Sequence, residues 1–330
     1  MTTPLSSSKI TRDDAGHLDQ TLRPQSWEEY VGQSKIKENL RILLTAARER
    51  SHAAEHILLY GPPGLGKTTL AHLISKTLGT NMRTTSGPAI ERVGDLAAIL
   101  TNLSPGDVLF IDEIHRLSKS IEEVLYPAME SGVLDIIIGK GPSARTVQLE
   151  LPPFTLVAAT TRISLLSAPL RSRFSGGTFR LEFYTDTEIA EILTRSAALL
   201  KVQATPAVMQ NIATRCRATP RTANYLLKRC RDLAQLEKGE LNATIVDRTF
   251  TLLEIDTLGL GAPDRAVLEA IMHKFSGGPV GLNTIAAATG EEQSTIEDVI
   301  EPYLIRQGLL ERTPRGRIVS ALAYSHLENK

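Results

Sequence analysis

"GPPGLGKTTL", residues 61–70, follows the apolar run "ILLY" at 57–60 and decides how the rest of the chain is read. Gly61, Gly66, Lys67 and Thr68 fill every fixed place of G-x-x-x-x-G-K-[ST], and the loop stands between a strand-like and a helical stretch. Its glycines, Gly64 included, let backbone N–H groups curl around phosphates. Lys67 reaches the β and γ phosphates, and the Thr68 hydroxyl, with Thr69 beside it, faces Mg²⁺. The dipole of the following helix adds to the attraction. The expected cofactors are ATP and Mg²⁺.

Farther along, "VLFIDEIH" (108–115) runs four apolar residues into Asp112 and Glu113. At a strand end, Asp112 can hold Mg²⁺ through water and Glu113 can polarise an attacking water. A third apolar run, "FTLVAAT" (154–160), leads into "TRISLLSAPLRSRF". Thr160 and Thr161 fall beside the γ-phosphate if this strand neighbours that of Asp112. Arg171 and Arg173 come one helix later, too far to reach their own phosphate easily. They can reach a neighbour's, as arginine fingers supplied in trans do, which predicts a ring.

Apolar runs alternating with helical stretches imply a parallel sheet, an α/β nucleotide domain over 21–184. "SKIKENLRILLTAARER" places Ile36, Leu40, Leu43, Leu44 and Ala47 on one helical face behind a Ser34 cap. "GVLDIIIGKGPSARTVQLELPP" reads as a hairpin inserted at about 133–151, broken by Gly139, Gly141 and Pro142. In it Leu134, Ile136 and Ile138 alternate, as do Val147, Leu149 and Leu151, giving one apolar face that packs on its own domain or meets a partner. From "TDTEIAEILTRSAALL" to "TPRTANYLLKRCRDLAQLEKGE" strand signals vanish, so a small all-helical domain is expected at 185–255. Residues 256–330 read as three helices and a hairpin, the pattern of a winged helix. A polar leader, 1–20, precedes all three.

Equal numbers of acids and bases, 37 each in 330 residues, exclude a general attraction to nucleic acid. A local patch remains: Arg306, Arg312, Arg315 and Arg317 against Glu311. The helix before it is acidic, with Glu291, Glu292, Glu297, Asp298 and Glu301. Ser294 and Glu297 have capping-box spacing, and Ile296, Val299, Ile300, Tyr303 and Leu304 form an apolar stripe, so the helix is well made but wrongly charged for the major groove. Arg312, Arg315 and Arg317 of the wing are therefore the expected DNA contacts, touching phosphates without reading bases. Cys216 and Cys230 fit neither zinc spacing nor a disulfide framework and read as buried thiols. His56 and His115 read as ordinary polar positions, Trp27 and Tyr30 as packing anchors. No apolar run reaches 18 residues, and the N-terminus lacks a signal-peptide core, so a cytoplasmic location is expected.

"GPPGLGKT", "FIDEIH", "AATT", "PLRSRF" and "TPRTAN" together resemble the AAA+ ATPases. In that family Thr161 stands where the first sensor is commonly Asn, and Arg221 stands where a lid arginine reaches the nucleotide. "LRPQSWEEYVGQ", "RTTSGPAIE", "EEVLYPAMESG", "LPPFTLVAATTR", "FSGGPVGL" and "ERTPRGR" are similar to the RuvB family, motors of Holliday-junction branch migration. The likeness covers about residues 20–325 and implies a homohexameric ATP hydrolase on double-stranded DNA, serving recombination, DNA repair and the SOS response. It implies that Leu22, Arg23, Glu130, Ser131, Gly132, Arg173 and Tyr184 complete the nucleotide pocket, with Arg173 the preferred finger. It also implies two protein partners, a RuvA tetramer docked through the inserted hairpin and the RuvC resolvase. A clamp-loader-like switch has no need of a terminal winged helix, and a transcription regulator wants a recognition helix that reads bases.

Overall fold

The computed structural model describes residues 20–138 and 145–328. Of the leader only Gln20 is included. Gly139, Gly141 and Pro142, and the side chain of Ile138, lie outside the described residues.

Strands β1 (Ile57–Tyr60), β2 (Met82–Ser86), β3 (Val108–Asp112), β6 (Thr155–Thr160) and β7 (Thr178–Arg180) form a parallel sheet in the order β2-β3-β6-β1-β7. The three central strands are the apolar runs of the sequence, and they are buried because helices cover both faces. β6 lies between the other two, pairing Val157 with both Ile57 and Phe110, so Thr160 and Thr161 emerge beside Asp112. β2 and β7 escape an apolar reading: each is an edge strand with one pairing partner, and polar residues such as Arg83, Thr84, Thr178 and Arg180 meet solvent there.

Helices α1 (Ser34–Glu49), α2 (Lys67–Leu78), α3 (Val93–Thr101), α4 (Lys119–Glu130) and the short α5 (Ala168–Arg171) pack around the sheet. α1 buries Ile36, Leu40, Leu44 and Ala47 as expected, but its N-cap is Gln33 in a left-handed conformation, with no side-chain cap from Ser34. His56 differs more from its reading. It is buried, accepts a hydrogen bond from the Leu156 N–H at Nδ1 (2.9 Å) and donates through Nε2 to the Met129 carbonyl (3.1 Å). Burial lowers its pKa, favouring this neutral form, which pins the last turn of α4 to the sheet.

β4 (Val133–Ile138) and β5 (Arg145–Glu150) form the separate antiparallel hairpin. Leu134 is fully buried at its base, Ile136 and Leu149 are half-buried, and Val147 is 37% exposed. The apolar face is thus covered at the base and opens outward.

Four helices follow, α6 (Asp186–Leu199), α7 (Pro206–Ala213), α8 (Pro220–Leu236) and α9 (Ala243–Leu252). Each begins with a side-chain cap, from Thr185, Thr205, Thr219 and Asn242. Each cap stabilises its helix by about 1 kcal/mol. This helical unit does not have a core of its own: Leu193 and Leu226 belong to one apolar cluster with Leu59, Leu65 and Tyr184. The lid and the phosphate loop therefore share packing.

The last domain has a separate core. It contains α10 (Ala262–Glu269), which runs on as a π-helical turn (Ala270–Lys274), then α11 (Leu282–Thr289). A continuous helix over 293–306 comprises α12 (Gln293–Thr295), a second π-helical turn (Ile296–Ile300) and α13 (Glu301–Arg306). The hairpin β8 (Leu310–Thr313) and β9 (Gly316–Val319) is the wing, and α14 (Ala321–Glu328), not anticipated, closes the domain. The expected Ser294–Glu297 capping box does not form, because the helix starts at Gln293 after Glu292; Val299 is 45% exposed, unlike Ile296, Ile300, Tyr303 and Leu304. Guanidinium groups hold this domain to the others. Arg217 donates to Asp264 and to the Val299 carbonyl, Arg306 to the Tyr184 carbonyl (2.8 Å), and Arg162 to Asp298.

Candidate functional site

The phosphate loop ends at Gly66, the N-cap of α2, with φ 99°. A Cβ there would strain the backbone and sit 3.0 Å from the Tyr30 hydroxyl. Gly87, just beyond β2, is equally forced: a Cβ would lie 2.4 Å from the Glu113 carbonyl oxygen, so only glycine lets this segment run beside the acidic pair. Above the carboxyl ends of the sheet opens a cleft of about 270 Å³. Leu22, Arg23, Gly64, Gly66, Lys67, Thr68, Thr69, Tyr184 and Arg221 line it together with Asp112, Glu113 and Thr161. Tyr30, Ile192, Arg195 and Asn224 line it too, which sequence reasoning missed. Arg195 donates to the Leu22 carbonyl and to Glu29, clamping the segment before α1 against the lid. Tyr184, its pKa pushed up to about 12 by burial, donates to the Tyr30 hydroxyl.

Lys67 is buried and donates to the carbonyls of Gly61 (2.7 Å) and Pro62 (3.0 Å). Burial drops its pKa to about 8, against the opposing pull of Glu113 and Asp112. Burial likewise raises the Asp112 carboxyl, a cost that a bound cation would offset. The Thr68 hydroxyl and the Asp112 carboxylate are hard oxygen donors on one cleft, which fits Mg²⁺ held by one or two protein groups and substrate phosphates.

Glu113 adopts a left-handed backbone (φ 48°). Its Oε2 accepts from the Thr161 hydroxyl (3.2 Å) and lies 3.2 Å from Nδ1 of His115. The same Nδ1 is 2.9 Å from the Thr160 hydroxyl. His115 is therefore not an ordinary polar position: it packs against the carboxylate that faces water, and burial lowers its pKa. Its place three residues after Asp112 was the available signal.

Glu130, Ser131, Gly132 and Arg173 stand apart from the cleft lining. Arg173 pairs with Glu130 (3.0 Å), donates to the Pro169 carbonyl and lies over the Tyr126 ring at 4.4 Å. Arg171 is exposed. The set expected to complete one pocket is thus divided into two groups on one chain.

On the wing, Arg312 and Arg315 are exposed, whereas Arg317 is buried and corrects the expectation for it. Its guanidinium is bonded to Glu301, itself 2% exposed, with Nη2–Oε2 at 2.9 Å and Nε–Oε1 at 3.2 Å. β9 turns this side chain inward, and Glu301 takes its Nε and Nη2 donors.

Three family models match in succession: the Holliday junction DNA helicase RuvB P-loop domain over residues 22–181, the RuvB AAA lid domain over 184–256 and the RuvB C-terminal winged helix domain over 257–328. The Holliday junction branch migration complex subunit RuvB of Dehalococcoides mccartyi (strain CBDB1) is 57% identical over 324 residues, 98% of this chain and 92% of that protein. The chain belongs to the RuvB family. Among solved structures, the Thermotoga maritima RuvB Holliday junction branch migration motor is 49% identical, with a TM-score of 0.87 over 94% of this chain and 99% of that one. A point mutant of the Thermotoga maritima RuvB gives a TM-score of 0.86 at the same 49% identity, over 93% of this chain and 98% of that one. This RuvB-family chain accordingly carries a P-loop AAA+ domain, an AAA lid and a winged helix. Among the described residues no helix is long and apolar enough to cross a membrane.

Proposed function

We propose that this chain is an ATP-hydrolysing subunit of a homohexameric ring that draws duplex DNA through itself to migrate Holliday junctions. The observation that carries the reading is the division of the nucleotide set: Arg221 lines the chain's own cleft, whereas Arg173 and Glu130 stand outside it. A second copy placed with Arg173 against the first copy's γ-phosphate supplies the missing cation. Charge in the transition state is then stabilised across a subunit boundary.

In this reading Lys67 and the loop amides hold the phosphates, and Thr68 and Asp112 hold Mg²⁺, which neutralises phosphate charge. Glu113 orients water and accepts its proton, with Thr161 and His115 fixing its carboxylate. Arg221 senses the γ-phosphate from the lid. Because lid and loop share a core, a shift at the phosphates moves the helical unit and the winged domain attached to it. Arg312 and Arg315 grip the DNA backbone without reading bases.

The hairpin's outer apolar face, with Val147 exposed, docks RuvA at the junction; the RuvC resolvase acts on the migrated junction, in the cytoplasm. Steady-state hydrolysis with and without duplex DNA tests the enzyme. Mg²⁺-dependent, DNA-stimulated turnover lost in Lys67→Ala is expected, and no turnover under any condition overturns the reading. Val147→Asp sparing hydrolysis while abolishing stimulation by RuvA supports the docking face, and full RuvA response rejects it.

A further inference from the structure

The helix over 293–306 carries Glu297, Asp298 and Glu301 close together. What faces it is an arginine of the ATPase domain. Three consecutive residues at the end of β6 point to three places. Thr160 accepts from the Arg162 N–H (3.0 Å) and meets His115, Thr161 donates to Glu113, and the Arg162 side chain leaves the domain. There its Nε lies 2.6 Å from both Asp298 oxygens, and its Nη2 is 3.8 Å from Glu297. Asp298 and Glu297 sit on the π-helical turn Ile296–Ile300, a local widening often found at working sites. Glu297 is shared: its other oxygen is 3.2 Å from Nη2 of Arg312 on the wing, and Arg312 Nε is in turn 3.8 Å from Glu301.

We infer that Arg162 is a positioning residue that couples the nucleotide site to the wing, through Asp298 and Glu297 to Arg312. This rests on the ATP-driven DNA motor proposed above. A DNA phosphate that takes Arg312 leaves Glu297 free to turn toward Arg162, whose Nη2 makes no hydrogen bond in the structure. DNA binding therefore tightens the docking of the winged domain on the end of β6. By reciprocity, displacement of Arg162 when Thr161 shifts with the nucleotide returns Glu297 to Arg312 and weakens the hold on DNA. The acidic helix thus works as a relay between two cations.

The test is steady-state hydrolysis by the full-length protein with and without linear duplex, alongside duplex affinity, for wild type, Asp298→Asn, Arg162→Ala, the double variant and the exchanged pair Arg162→Asp with Asp298→Arg. Asp298→Asn keeps its basal kcat and KM within about twofold but loses about fivefold or more of its DNA stimulation, a typical size for coupling between sites. The double variant is no worse than the more affected single variant, and the exchanged pair recovers stimulation. Undiminished stimulation in Asp298→Asn, or additive losses in the double variant, overturns the relay. Wild type that hydrolyses ATP without any response to DNA overturns the motor reading itself, a distinct outcome.

Discussion

Arg317→Ala damages the winged domain before it damages any DNA contact. The Arg317–Glu301 pair is nearly sealed from water, with side chains 10% and 2% exposed, and three N···O distances of 2.9–3.3 Å. Removing the guanidinium leaves Glu301 buried without its main partner; the remaining cation, Arg312, stands 3.8 Å away and is half-exposed. Breaking a buried pair from one side costs about 3–5 kcal/mol, a large fraction of the roughly 5–15 kcal/mol that holds a domain. Arg312→Ala removes a solvent-exposed pair to Glu297, worth about 0–1 kcal/mol, and a longer 3.8 Å approach to Glu301, which keeps its close partner Arg317. The only tryptophan, Trp27, lies in the ATPase domain and is blind to the wing, so hydrogen exchange of peptides covering 257–328 is the assay. Arg317→Ala is expected to speed exchange there by about 10² or more, because each 1.4 kcal/mol is tenfold. Arg312→Ala leaves exchange unchanged and lowers the salt dependence of duplex binding by about one phosphate contact. Unchanged protection in Arg317→Ala with a reduced salt slope would refute the buried assignment and restore Arg317 as a DNA contact.

Four other outcomes follow from the site. Lys67 is charged below about pH 8 and neutral above it when no phosphate is bound, so nucleotide affinity should fall as pH rises through about 8, and Lys67→Met should remove that slope. The same shift has a sign for stability: between about 8 and its ordinary value the unfolded chain holds the proton that the folded chain has lost, so this lysine makes stability rise with pH there. Thr161→Val frees Glu113 Oε2 from its hydroxyl partner and should lower kcat on the order of 10²-fold with KM little changed; equal loss in KM would assign Thr161 to binding. Arg173→Ala should lose about 10³-fold or more of hydrolysis yet regain activity when mixed with Lys67→Ala subunits, and failure of mixing argues against a shared site.

The phosphate loop and the acidic strand end were legible because their chemistry needs neighbouring residues in a fixed local order. The central strands were legible because burial on both faces demands unbroken apolar runs. β2 and β7 were not, since an edge strand is held by one ladder and tolerates the polar "MRTTS" and "TFR". Arg317 misled because its partner lies 16 residues earlier on another element, where Glu301 looked like one more surface acid. His115 misled for a related reason: its meaning comes from Thr160 on β6, brought beside it only by the strand order. The acid-rich helix was read as wrongly charged for DNA, and its neighbour in the structure, Arg162, is 136 residues away from Asp298.

The most direct test of a motor that spends ATP on DNA is dissociation of a labelled four-way junction by the purified protein, with and without RuvA, beside a fully paired linear duplex. The account predicts strand separation from the junction alone, only with ATP and Mg²⁺, abolished in Lys67→Ala and strengthened by RuvA. ATP hydrolysis without junction processing under any of these conditions would contradict it.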